Sequence, residues 1–171
     1  MNPGNLSPDT HTAEEVARLL GLAPLEPEGG FFRRVAEAEM VLSGNGRRAY
    51  SVIYFLVTPT GFSALHKLTT DETWCFHCGD GLESLRLSAD GTGQVVKLGL
   101  DVAGGETPQD VVRANTWQGT RLRPGGRWAL VSCIVAPEFQ WEDFVLGERA
   151  VLTEAYPALA EEIRALTREK R

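Results

Sequence analysis

Cysteine and histidine are scarce, three of each in 171 residues. An odd number of cysteines supplies no disulfide framework, and Cys75, Cys78 and Cys133 read as reduced thiols on strands. Cys75-Phe76-His77-Cys78 has the spacing of half a zinc site. The second ligand pair is missing, because only His11, His66 and Cys133 remain to supply it. Long hydrophobic runs are absent as well: the longest, Val52 to Val57, is far short of the roughly 20 residues of a membrane-spanning helix. The opening stretch MNPGNLSPDTHTAEE has no basic region followed by an apolar one, so we expect a cytoplasmic protein. Basic residues are outnumbered, 17 Lys and Arg against 23 Asp and Glu, a formal charge of −6. Nucleic acid and anionic membranes are therefore excluded as expected partners.

What is present is the material of one β-rich domain over 1–171. Thr12 to Leu22 places Val16, Leu19 and Leu20 at helical spacing, with Thr12 and Glu15 as a capping box and Gly21 as the stop. Residues 1–11 read as a flexible leader. Ala23 to Gly30, with two prolines and a glycine pair, reads as a turn. A strand from Phe31 through Met40 follows, and Tyr50 to Thr58 is dense in aromatic and β-branched residues. Short strands are predicted over Ser63–Leu68, Glu72–Cys78, Leu82–Ser88, Gly93–Gly99, Asp110–Val112, Gly119–Leu122 and Arg127–Ala136, separated by glycine- and proline-rich turns. With no β-α-β alternation, the pattern is that of a sandwich or barrel, here spanning about 31–145. A closing helix over about 157–169 puts Leu159, Ile163 and Leu166 on one face.

Residues able to do chemistry concentrate between Gly61 and Gly79. Strand alternation puts Glu72, Trp74 and Phe76 on one face and Cys75 and His77 on the other. A carboxylate beside two inward aromatics needs a partner, and His66 is the nearest. His77, on the opposite face, reads as a surface or interface histidine. Arg33 and Arg34, following Phe32, could bring a cation to a pocket mouth or form a solvated strand edge.

Gly61, His66, Glu72 and Gly79 resemble the first motif of the cupin superfamily, with Leu68 where a second histidine is usual. Gln118 stands at the histidine position of the second motif, and Asn115 at its glycine. Further stretches fall in order: Pro27 to Phe32, Ile53 to Thr58, Asp71 to Trp74, Pro108 to Val112, Thr116 to Gln118, Val135 to Phe139, and Trp141 to Phe144. Together they resemble the DUF985, or cupin_5, branch over roughly Leu19 to Pro157. The resemblance implies an all-β fold, a double-stranded β-helix or jelly-roll barrel with short terminal helices. It also implies a homodimer similar to sugar-nucleotide epimerases of the RmlC type. Members of the branch usually carry a histidine where this chain has Glu26.

Three readings of the interior follow. As a binding module, Tyr54, Ser63, His66, Glu72, Trp74, Gln109 and Gln118 line a pocket for a small polar, carbohydrate-like ligand. As an epimerase-like enzyme, His66 acts as base or acid beside Glu72, with Tyr54 as the opposing acid. As a metal site, His66, Glu72 and Gln118 hold a divalent ion. Cupins that use a metal bind it through three histidines and one glutamate, so one imidazole, one carboxylate and one amide make a thin set. The binding module is the expected function, with no certain cofactor.

Overall fold

The computed structural model describes residues 5–168. Eleven strands form two antiparallel sheets: β1 (Ala23–Pro24), β2 (Phe31–Glu37), β3 (Ser51–Val57), β4 (Ser63–Leu68), β5 (Asp71–Gly79), β6 (Leu82–Leu87), β7 (Gly93–Leu98), β8 (Gln109–Val112), β9 (Trp117–Leu122), β10 (Ala129–Ala136) and β11 (Phe144–Leu146). The first sheet has the order β1-β2-β3-β10-β5-β8 and the second β11-β4-β9-β6-β7. The turn spacing predicts a β sandwich or barrel, and the fold is the mainly β jelly roll that the family resemblance implies.

Alternation along the strands divides the apolar residues between inside and outside. Phe55, Val57, Trp74, Phe76, Leu82, Leu98, Val112, Leu122 and Val131 meet between the sheets, with Phe55 edge-on to Trp74 at 5.8 Å. Truncating an aromatic of this size in such a core costs about 3–5 kcal/mol. Outside the first sheet, Leu56, Trp128 and Leu130 pack under Val16 of α1 (Ala13–Leu20). The capping box forms as expected: Glu15 N donates to Thr12 Oγ1, and Thr12 N donates to Glu15 Oε2 at 2.8 Å. Gly21 ends the helix at φ 62°. Outside the second sheet, Leu65, Leu85 and Leu87 pack against Leu152, Tyr156, Ile163 and Leu166.

Several expectations are corrected. The closing helix is two helices, α2 (Arg149–Ala155) and α3 (Ala160–Ala165), joined by a 3-10 turn at Pro157–Leu159. Pro157 has no N–H with which to continue α2, yet it fits the first position of the next turn. Position 169 lies outside the described residues. Strand β2 stops at Glu37, and Ala23–Pro24 pairs with Phe32 and Phe31 instead of belonging to the turn. The described part of the leader is fastened to the barrel: Arg127 reaches the Pro8 carbonyl and Asp9 at 3.0 Å, and Trp128 Nε1 donates to the His11 carbonyl at 2.8 Å.

A β-bulge also changes one side of β5. Leu130 pairs with Cys78 and Val131 with Phe76, so His77 is the extra residue. Cys78 is thereby turned to the outer face, where it packs beneath α1, on the same side as Cys75. All three cysteines are free thiols.

Candidate functional site

Register brings the site together. In the second sheet His66 pairs directly with Gln118. From the first sheet, Glu72, Trp74 and Cys133 point inward beside them, Cys133 opposite Trp74. Trp74 Nε1 donates to Gln118 Oε1 at 3.1 Å, and Gln118 Nε2 donates to Glu72 Oε2 at 2.6 Å. Glu72 Oε2 in turn lies 3.9 Å from His66 Nε2. The expected His66–Glu72 pair exists, but as an ion pair beyond hydrogen-bond length.

Glu28, which sequence reasoning missed, sits at the other edge of the imidazole, its Oε1 3.9 Å from His66 Nδ1. Ser63 Oγ donates to the same oxygen at 2.5 Å. The Pro-Glu-Gly-Gly turn makes this approach possible. Gly29 and Gly30 have φ of 108° and 71°, and a Cβ on Gly30 would fall 2.5 Å from the Phe55 ring. The turn then docks on β4 through Ala64 N donating to the Glu28 carbonyl at 3.1 Å. The available signal was a carboxylate immediately before a glycine pair.

Electrostatics follow from this enclosure. Burial works against a charged His66, but Glu28 and Glu72 outweigh it and push its pKa up to about 9. Burial raises the Glu28 carboxyl, with the Glu72 charge adding to it and His66 and Ser63 opposing. Burial also pushes the Cys133 thiol well up, so it stays protonated. His66 Nδ1 lies 2.8 Å from the Ala64 carbonyl. A carbonyl only accepts, so Nδ1 carries a proton and Nε2 is the nitrogen facing Glu72.

These groups floor a cavity of about 620 Å³ whose walls include Leu25, Phe32, Ile53 and Val135. Its mouth is crossed by residues 137–143, which bring Phe139, Gln140, Trp141 and Glu142 to the cavity. Phe139 N donates to Ser51 Oγ at 2.9 Å, Arg48 N to Glu138 Oε1 at 2.8 Å, and Arg47 forms an ion pair with Asp143 at 2.6 Å. Phe144 stacks on His66 with centroids 5.0 Å apart, and Trp141, half exposed, stands edge-on to Phe144 and Phe139. Arg34 lines the mouth, whereas Arg33 points outward over the Tyr54 ring.

Of the expected pocket residues, His66 and Glu72 line the cavity. Ser63, Trp74 and Gln118 support them from behind. Tyr54 does not take part: it faces outward, packing with the cluster under α1 and edge-on to His77. Ile53 and Phe55 on either side of it are also apolar, so the pattern of β3 alone did not reveal which face was inward. Gln109 is exposed on β8 opposite Cys75, on the outer face.

The same geometry argues against a metal. Trp74 Nε1 is a donor only, so the atom of Gln118 it meets is the oxygen, and the amide N–H is committed to Glu72. Glu28 and Glu72 flank opposite edges of His66 and do not converge. Among the described residues no three His, Cys, Asp or Glu side chains are placed to share an ion.

Comparison with known proteins agrees with this architecture. Protein SO0799 from Shewanella oneidensis is 34% identical, covering 94% of this chain and 99% of its own, with a TM-score of 0.87. A hypothetical protein from Leishmania major is also 34% identical, covering 93% and 100% with a TM-score of 0.85. Oxalate decarboxylase from Bacillus subtilis, described with Mn(II) centres, shares the fold at 12% identity over 87% of this chain and 38% of its own, TM-score 0.52. No curated protein matches. No helix among the described residues is long and apolar enough to cross a membrane. A family model described as Cupin superfamily (DUF985) matches residues 14–147, and with an interior built on the His66, Glu72 and Gln118 positions, the chain belongs to that family, Cupin_5.

Proposed function

We propose that this protein binds a small, polyhydroxylated, carbohydrate-like ligand inside the barrel. One observation carries the reading. His66 is 2% exposed and lines the cavity, yet the nearest acceptor its Nε2 meets is the Glu72 oxygen at 3.9 Å. A protonated Nε2 that opens on the cavity with no acceptor at bonding distance is free to donate to a ligand oxygen entering there. Glu28 and Glu72 on either side accept from neighbouring hydroxyls, and the half-exposed Trp141 at the mouth offers an apolar ring face. One donor between two acceptors over a few ångströms matches a run of hydroxyl or carbonyl oxygens. An epimerase reading loses its acid, because Tyr54 faces away and no tyrosine lines the cavity.

The test is calorimetric titration with a panel of aldoses, ketoses and sugar acids on the parent and on His66→Ala. At least one panel member should bind the parent at micromolar to millimolar strength, with affinity falling at least tenfold in a folded His66→Ala protein. Equal binding by both proteins, or no binding by the parent, overturns the reading. The reading includes the homodimer expected from the resemblance, supported by Val52, Ile134 and Val111 on the part of the first sheet that α1 leaves uncovered. The same sample should sediment at about twice 18.7 kDa.

A further inference from the structure

We propose that the amide of Gln118, locked by the Trp74 indole, closes the volume between His66 and Glu72 to a divalent metal, and that an imidazole at position 118 would open it to one. Gln118 is 1% exposed and lies opposite His66 in the β4–β9 register, a pairing that sets two Cβ atoms about 5 Å apart. Glu72 approaches from the facing sheet to within 3.9 Å of His66 Nε2 and 2.6 Å of the amide nitrogen. Positions 66, 72 and 118 therefore converge on one small volume, and the amide at 118 presents the wrong chemistry to a cation. Trp74 Nε1 holds the amide oxygen at 3.1 Å and so turns the N–H groups toward Glu72. An ion there would face N–H dipoles of the wrong sign and would compete with the amide for the carboxylate. Rotating the amide to offer its oxygen would leave a buried indole N–H unpaired and set the amide nitrogen against it.

The same lock has a positive consequence. Gln118 takes only one Glu72 oxygen, and the ion pair keeps Nε2 of His66 aimed at the cavity. Polar atoms that a metal would consume are left to an organic ligand. Two imidazoles and one carboxylate, by contrast, form a recognised catalytic zinc set.

The experiment is titration with Co(II), followed by its visible absorption and by equilibrium dialysis, on four proteins. These are the parent, Gln118→His, Trp74→Phe/Gln118→His, and the double variant with His66→Ala added. The double variant is included because a metal-bound imidazole protonates its other nitrogen and could not accept from Trp74 Nε1. Circular dichroism verifies folding. We expect no stoichiometric binding by the parent at micromolar Co(II). We expect one equivalent bound at least roughly a hundredfold more tightly by a folded position-118 histidine variant, with the tetrahedral or five-coordinate spectrum of an N,O site, and loss of that binding when His66 is removed. A parent that binds one equivalent through His66 overturns the proposal. A folded double variant that binds none also overturns it, whatever the sugar titrations show.

Discussion

Two charged clusters are buried in the same barrel, and only one of them is complete. Around Arg86, Nη2 meets Asp110 at 2.8 Å while Nη1 donates to Ser84 Oγ and the Leu85 carbonyl. Ser84 in turn bonds Thr120. Burial lowers the Arg86 pKa and Asp110 opposes that loss, and the pair ties the second sheet to the edge strand of the first. Around His66 the two carboxylates stop at 3.9 Å and one imidazole edge looks into a cavity. A closed network holds sheets together, whereas an open one stores unmet hydrogen-bonding capacity that a ligand can use. Charge alone does not separate architecture from function; the separation lies in whether each polar atom has a partner.

The comparison breaks first if the two clusters respond alike to mutation. Arg86→Met should destabilise the fold by about 3–5 kcal/mol, because it leaves Asp110 facing an apolar side chain across the barrel. Urea denaturation of Arg86→Met beside His66→Gln would show it, and equal losses would end the distinction. A smaller effect concerns pH. The His66 pKa is raised from 6.5 to about 9 on folding, so its contribution is fully present below about pH 6.5 and is lost as pH rises through about 9. Glu28, raised from 4.5 by burial, acts with the same sign from lower pH. Up to roughly 3 kcal/mol should disappear between pH 6.5 and 9.5 in the parent. His66→Gln should lack that loss, and parallel stability curves would remove the assigned charge. The smallest effect is expected from Ser63→Ala, which deletes the donor to Glu28. It should cost about 1 kcal/mol in chemical denaturation; a loss as large as that of Arg86→Met would show the open cluster to be structural.

Much of this molecule was legible beforehand, for identifiable reasons. Ser63–Leu68 begins after the Pro-Thr-Gly turn with the bounds expected, and period-two alternation placed Glu72 and Trp74 together. The Thr12–Glu15 box marked its helix because capping is a local interaction. What escaped was non-local or depended on phase. Glu28 enters the site from a turn 38 positions before His66 in the chain, and only the docking of that turn on β4 puts it there. Tyr54 lies between two apolar neighbours, so its face was decided by what packs on each side. The bulge at His77 inserts one residue with no marker in the sequence and returns Cys78 to the face of Cys75.

Composition and spacing by themselves determined a turn-rich β domain with short terminal helices and an inward Glu72. Those features rest on backbone propensity and side-chain period, both properties of short segments. The tertiary structure alone decided that His66 sits between two carboxylates, that Gln118 offers N–H and not oxygen to Glu72, and that Phe139 and Trp141 stand over the cavity. Each depends on the separation of groups far apart in the chain, and a hydrogen bond or ion pair changes character within one ångström.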